Sequence, residues 1–277
     1  IDLGTNVYDQ YLNPPRTADA NTTTWIITEF GFTQFLATSV YDLSDGLLTG
    51  SFYDSNDTTV LGNLGIPTSG TAMDGVTTVT LALPSYPSQV NFDTLEPISG
   101  DLIGNDTEGF NLAWRLVAVY TLNGTLSAGG PSYTGGTIDI YFEEMADLAG
   151  AAGMDKFKVL TLSLTGSLLQ AANLDLFFDV TYAKDNFFWV KNDNGVFVDA
   201  ADGGVVATLD TNVNPPIPTL NQLLVLNDGN NAGQPAAVRQ TTLDGTIGYR
   251  VPEPATLGLF GLGLLGLASI RRRSAHS

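Results

Sequence analysis

Val159-Leu160-Thr161-Leu162-Ser163-Leu164-Thr165, followed by Leu174-Asp175-Leu176-Phe177-Phe178-Asp179-Val180-Thr181-Tyr182, is the stretch that decides the fold. In the first segment Leu160, Leu162 and Leu164 alternate with Thr161, Ser163 and Thr165. In the second, Leu174, Leu176, Phe178, Val180 and Tyr182 oppose Asp175, Phe177, Asp179 and Thr181. Successive side chains of a strand leave opposite faces, so a period of two marks half-buried β-structure; an amphipathic helix would repeat its apolar residues three and four apart. Upstream, Leu112, Trp114, Leu116, Ala118, Tyr120 and Leu122 share one face, while Ala113, Val117 and Val119 make the other largely apolar as well. Apolar side chains on both faces predict a strand central in its sheet.

Working outward, similar short patterns predict strands over 24–30, 35–41, 47–53, 76–83, 137–142, 187–191, 196–199, 205–209, 220–226 and 243–249. Asp45-Gly46, Asn123-Gly124, Gly135-Gly136, Asn194-Gly195, Asp202-Gly203-Gly204 and Asp228-Gly229 read as turns between them, because Gly, Asn and Asp accept the positive φ of tight turns. The expectation is an all-β chain: an antiparallel β-sandwich or jelly-roll-like domain over 15–209. An extended segment precedes it at 1–14, 210–250 forms a final hairpin or an extended stalk, and 251–277 is a separate tail with a hydrophobic helix. One short helix is expected at 142–151, where Phe142-Glu143-Glu144-Met145 precedes Gly150 and Gly153.

Composition narrows the chemistry. The 277 residues contain no cysteine and one histidine, His276, which lies in the tail. Disulfides, thiolate zinc sites and cysteine nucleophiles are excluded, and a histidine-free body has no Ser-His-Asp triad and no histidine-dependent zinc or iron centre. Taking the three tail arginines from 11 Lys+Arg, and Glu253 from 29 Asp+Glu, leaves the body with a charge of about −20. Such a surface repels nucleic acid, and it suits an exported protein kept soluble by acidity.

The tail has three parts. Val251-Pro252-Glu253-Pro254 comes first, then sixteen uncharged residues from Ala255 to Ile270 rich in Gly and Leu, then Arg271-Arg272-Arg273. As a helix the apolar run spans about 24 Å, short against a hydrocarbon core of roughly 30 Å. The arginines would stay cytoplasmic by the positive-inside rule and leave the body outside. The prolines break any helix before the run and keep the junction extended. The numbering opens on Ile1 rather than Met, which a cleaved signal peptide would explain.

Pro-Glu-Pro, a Gly/Leu-rich run and a terminal arginine cluster, in that order and at the C-terminus, resemble the PEP-CTERM sorting signal of Gram-negative bacteria. The resemblance covers about the last 27 residues. It implies that Pro252, Glu253 and Pro254 form the motif read by an exosortase, a membrane-embedded cysteine transpeptidase-like enzyme. It likewise implies that 255–270 is a transient inner-membrane anchor and that Arg271, Arg272 and Arg273 are its cytoplasmic stop. The family's setting implies a cell-surface or extracellular-matrix protein of biofilm- or floc-forming bacteria, with exopolysaccharide or other matrix components as partners.

Within the body several functional readings compete. Acidic loops suit calcium, which gathers several oxygens in a flexible loop, and Asp193, Asp199 and Asp202 beside Asn192 and Asn194-Gly195 are the best such group. A plain hairpin turning at Asn194-Gly195 explains the same residues and is preferred. Asp54, Asn56 and Asp57 form a weaker group of the same kind. A hydrolase would need two converging carboxylates; Glu143-Glu144 is the obvious adjacent pair, with Glu29 and Glu108 as further singles, and adjacent side chains do not converge on a substrate. Trp25, Trp114 and Trp189, with Phe187 and Phe188, raise carbohydrate stacking, although Trp114 reads as core. Residues 1–12 offer a segment for strand addition to a neighbouring copy, the alternative being a strand of the chain's own sheet. The reading taken forward is a non-enzymatic structural or adhesive protein, followed by a carbohydrate-binding module and then a carboxylate-dependent hydrolase.

Overall fold

The computed structural model describes residues 1–4, 22–24, 26–44, 46, 49–82, 90–97, 107–145, 156–213, 215–231 and 234–252. Among these the strands are β1 (Ile27–Asp42), β2 (Gly50–Ser55), β3 (Ser69–Thr71), β4 (Thr78–Thr80), β5 (Val90–Asn91), β6 (Thr94–Pro97), β7 (Trp114–Ser127) and β8 (Gly130–Glu144). They continue with β9 (Lys156–Gln170), β10 (Asn173–Ala183), β11 (Trp189–Lys191), β12 (Phe197–Asp199), β13 (Val206–Asn212), β14 (Leu224–Asn231) and β15 (Gln234–Arg250). The chain is all-β and antiparallel, as the alternation predicts.

The strands join one large sheet whose hydrogen-bonded path returns to its start. From β1 it runs through β2, β7, β8, β9, β10, β13 and β15, and β15 then pairs with β1 from Ala236↔Asp42 to Gly248↔Glu29. These eight strands form a closed antiparallel ring, an even number being what strict alternation of direction requires. Closure satisfies both edges of every ring strand along its paired length, the problem that exposed sheet edges pose. Short strands attach outside this path: β6 on β1, β5 on β7 and β14 on β15. Residues 224–250 are therefore a hairpin built into the sheet.

Inward side chains fill the ring. Leu160, Leu162 and Leu164 of β9, Leu174, Leu176 and Phe178 of β10, and Trp114 and Leu116 of β7 are buried in one cluster. At 1.5–3 kcal/mol for each large apolar side chain, roughly, this burial is the dominant stabilising term. Towards the end where β7 begins and β15 stops, the packing is aromatic: Trp114 stacks on Phe142 with centroids 5.5 Å apart, and Phe142 on Phe157 at 5.0 Å. A second cluster lies outside the ring, where Leu61, Leu64 and Leu81 of the 58–82 segment and Leu224 and Leu226 of β14 cover Val40 and Val238. That segment includes a five-residue helix, α1 (Thr58–Gly62), whose first turn is capped by Asp57 accepting from the Thr59 amide at 2.8 Å.

Three local expectations are corrected. Asn123-Gly124 and Gly135-Gly136 are not turns; they face each other inside β7 and β8, where the register shifts between Asn123↔Gly135 and Gly124↔Tyr133. This is a β-bulge, and it changes the inward parity of β8 from Tyr133 to Ile138, Ile140 and Phe142. Gly136 has φ +117°, and a Cβ there would lie 2.2 Å from the Thr121 carbonyl oxygen, so glycine is required. The 142–151 helix fails in its described part, because Phe142, Glu143 and Glu144 continue β8 and residues 146–151 lie outside the described residues. Cross-strand partners decide it: Glu143 faces Arg115, with oxygen and guanidinium nitrogen 2.6 Å apart, and lies 3.8 Å from the Lys156 ammonium. The 76–83 strand shrinks to β4, paired only with β3.

Candidate functional site

β15 carries the chain to the C-terminal junction. Its last residue, Arg250, pairs with Val206, Val251 is half-buried against the core, and Pro252 is exposed. Proline has no amide to donate to a ladder, so the strand stops where the Pro-Glu-Pro triplet begins. Glu253, Pro254, the run 255–270 and Arg271, Arg272 and Arg273 lie outside the described residues. Among the described residues no helix is long and apolar enough to cross a membrane.

Beside this junction the ring opens into a pocket of about 520 Å³. Its apolar walls are Ile27 and Phe30 of β1, Leu160 of β9, Val180 of β10, Tyr249 of β15 and Phe188 from the loop before β11. Phe30 packs on Tyr249 and Phe188 with centroids 5.2 and 5.6 Å away. The Tyr249 hydroxyl is buried and has no hydrogen-bond partner among the described residues, and burial pushes its ionisation far above the usual phenol range. The β11–β12 hairpin edges the mouth. Its register, Trp189↔Asp199 and Lys191↔Phe197, puts these four residues on one face, and the Lys191 ammonium lies 5.9 Å from the Phe197 ring centre. Trp189 and Phe197 remain 39% and 41% exposed, large values for aromatic side chains.

The hairpin also accounts for the acidic loop. Gly195 has φ +78° and closes the turn, while the Asn192 side chain accepts from the amides of Asn194 and Val196 at 3.1 and 2.9 Å. The carboxylate of Asp199 accepts from the Ala201 and Asn186 amides at 3.0 and 2.6 Å, capping a short 3-10 turn over Ala200–Asp202. Asp193 and Asp202 are exposed. Among the described residues no three acidic or histidine side chains are grouped so as to hold a metal ion. The weaker acidic group is dispersed in the same way: Asp54 points into the ring, Asp57 caps α1, and Asn56 is buried, donating to the Ala118 carbonyl and accepting from the Tyr120 amide at 2.8 and 2.7 Å. Trp114 is fully buried, its indole donating to the Glu108 carbonyl at 2.7 Å; Trp25 lies outside the described residues.

Sequence reading named Asp54 as a loop carboxylate but not the buried polar group it joins in the other half of the ring. There Asp54 of β2 accepts from the Tyr133 hydroxyl of β8, near Tyr41 and Ser39 of β1 and the buried Arg239 of β15, which donates to the Pro215 carbonyl at 3.0 Å. Burial pushes the Asp54 carboxyl up, opposed by hydrogen bonds from Ser39 and Tyr133 and by the charge of Arg239. The available signal was parity: 239 shares the inward face with 247 and 249, so a charge at that position had to find partners inside.

At the N-terminal side, Asp2 bridges to Thr23 and its amide donates to the Phe187 carbonyl at 2.9 Å, tying residues 1–4 to this chain's own ring. Residues 5–21 lie outside the described residues.

Comparison with known proteins locates one match. A family model described as the PEP-CTERM protein-sorting motif covers residues 250–273. No curated protein and no solved structure matches the chain. The match begins on the last residue of β15, and it implies an exported chain processed by an exosortase.

Proposed function

We propose that this chain is a non-enzymatic surface protein, with a structural or adhesive role at the outer surface or in the extracellular matrix of a Gram-negative bacterium. The observation that carries the reading is the sorting motif placed directly after β15, with Pro252 exposed. A membrane-bound processing enzyme needs an extended substrate it can reach, and a strand that stops just before an exposed proline supplies one without unfolding the ring. The closed ring and its filled core suit a protein that endures outside the cell without disulfides. An acidic body suits hydrated matrix material, with exopolysaccharide the partner class and no nucleic acid.

The test replaces Pro252, Glu253 and Pro254 together by alanine and compares surface fractions of the cells. The body is expected to remain membrane-associated, with the surface fraction depleted at least tenfold. Unchanged sorting would remove the motif from the account.

A second reading, carbohydrate binding by the body, has its own support in Trp189 and Phe197, half-exposed on one hairpin face beside the mouth. Aromatic faces of this kind stack on sugar rings. Retardation of the body on an exopolysaccharide affinity gel, lost in Trp189→Ala with Phe197→Ala, would favour it.

A further inference from the structure

We propose that the pocket beside the junction is a binding site for one small amphiphile: a hydrocarbon or fused-ring body enclosed by the ring, with a single polar group left at the rim. This goes beyond the surface role, which needs no small ligand. Volume is the first argument. About 520 Å³ falls within the range of pockets that hold organic ligands, and the open end of a closed barrel is a recurrent place for them. A second void in the ring, bounded by Phe32, Ala118, Leu122 and Ile247, is only about 50 Å³.

Wall chemistry selects the ligand class. The side chains of Ile27, Phe30, Leu160, Val180 and Phe188 are hydrocarbon, and the lining residues with polar side chains are Asp2, Lys191, Trp189, Tyr249 and the threonines at 23, 24 and 28. A sugar buried here would leave most of its hydroxyls unpaired, whereas an apolar body loses nothing by leaving water. Trp189 and Phe197 then serve as an apolar lip at the entrance.

The experiment uses the full chain in phosphatidylcholine nanodiscs, titrated calorimetrically with 2-naphthol and with cellobiose against empty nanodiscs. One molecule of 2-naphthol should bind saturably per chain, with no heat from cellobiose. Val180→Trp and Ile27→Trp place an indole in the cavity from two different strands, and each should weaken 2-naphthol at least tenfold while the melting midpoint stays within a few degrees. Absence of saturable 2-naphthol binding to the native chain overturns the proposal. So does unchanged affinity in whichever filled variant keeps its melting midpoint, and saturable cellobiose binding would transfer the site to the carbohydrate reading.

Discussion

The ring and its tail carry different kinds of information. The ring is specified by pairings between strands far apart in the sequence, and its role is read from its surfaces and cavities. The tail says where the chain goes in 24 residues, because an enzyme reads it as a linear pattern that needs only to be extended and reachable. Strand pairing brings together residues more than two hundred positions apart, as at Glu29↔Gly248, whereas the sorting motif is local. Addressing and architecture are therefore separable, and substitutions should affect one or the other.

The largest effect expected on the ring side is from Trp114→Ala. Trp114 is fully buried, stacks on Phe142 and donates to the Glu108 carbonyl, so its loss should cost about 3–5 kcal/mol, read as a lower urea midpoint. Surface delivery of the chains that do fold should be unchanged. A sorting defect in that folded population would break the separation between ring and tail.

Gly136→Ala comes next. Its positive φ and the backbone oxygen 2.2 Å from the added carbon should cost about 1–3 kcal/mol, measured as a drop in thermal midpoint, whereas Gly203→Ala, with positive φ and open space, should cost less. Equal costs would mean that the bulge does not set the packing of β7 on β8.

Asp54 tests the buried polar half of the ring through pH. Its folded pKa lies above the unfolded value of about 3.9, so across the interval between the two the folded chain keeps a proton that the unfolded chain has released. Its contribution to stability is therefore most favourable below the unfolded value and declines as pH rises through that interval, reaching its least favourable level above the folded pKa. Asp54→Asn cannot titrate. The native chain should accordingly lose stability relative to this variant from about pH 4 upward in a series of urea melts, and a rising difference would contradict the sign.

The smallest effect is from Tyr249→Phe. Removing a buried hydroxyl that has no partner among the described residues deletes a desolvation cost, so stability should stay level or rise by up to about 1 kcal/mol in the same melts. A loss above that size would show that the hydroxyl has a stabilising partner.

Strand content was legible in the sequence because alternation is a local property: Leu160, Leu162 and Leu164 announce their face without any neighbour. What depended on partners was not. Asn123-Gly124 and Gly135-Gly136 have turn chemistry, and glycine serves a bulge equally well; only the pairing of β7 with β8 distinguishes the two. Glu143-Glu144 resembles a helix start until Arg115 and Lys156 are placed beside Glu143. Closure of the ring was invisible for the same reason, since β1 and β15 come from opposite ends of the body. At the candidate site, the Asn194-Gly195 hairpin was readable and so brought Trp189 near Phe197, but the pocket walls come from β1, β9, β10 and β15 and converge only in three dimensions. The junction needed no such convergence, because its motif is a run of consecutive residues; Pro252 is exposed after the last described strand.

The most direct measurement is the intact mass of the chain recovered from the cell surface, in cells with and without their exosortase. The account predicts a surface form lacking the run 255–270 and Arg271–Arg273, and a full-length, membrane-bound form when the enzyme is absent. A surface form that retains the arginine cluster in enzyme-bearing cells would contradict it.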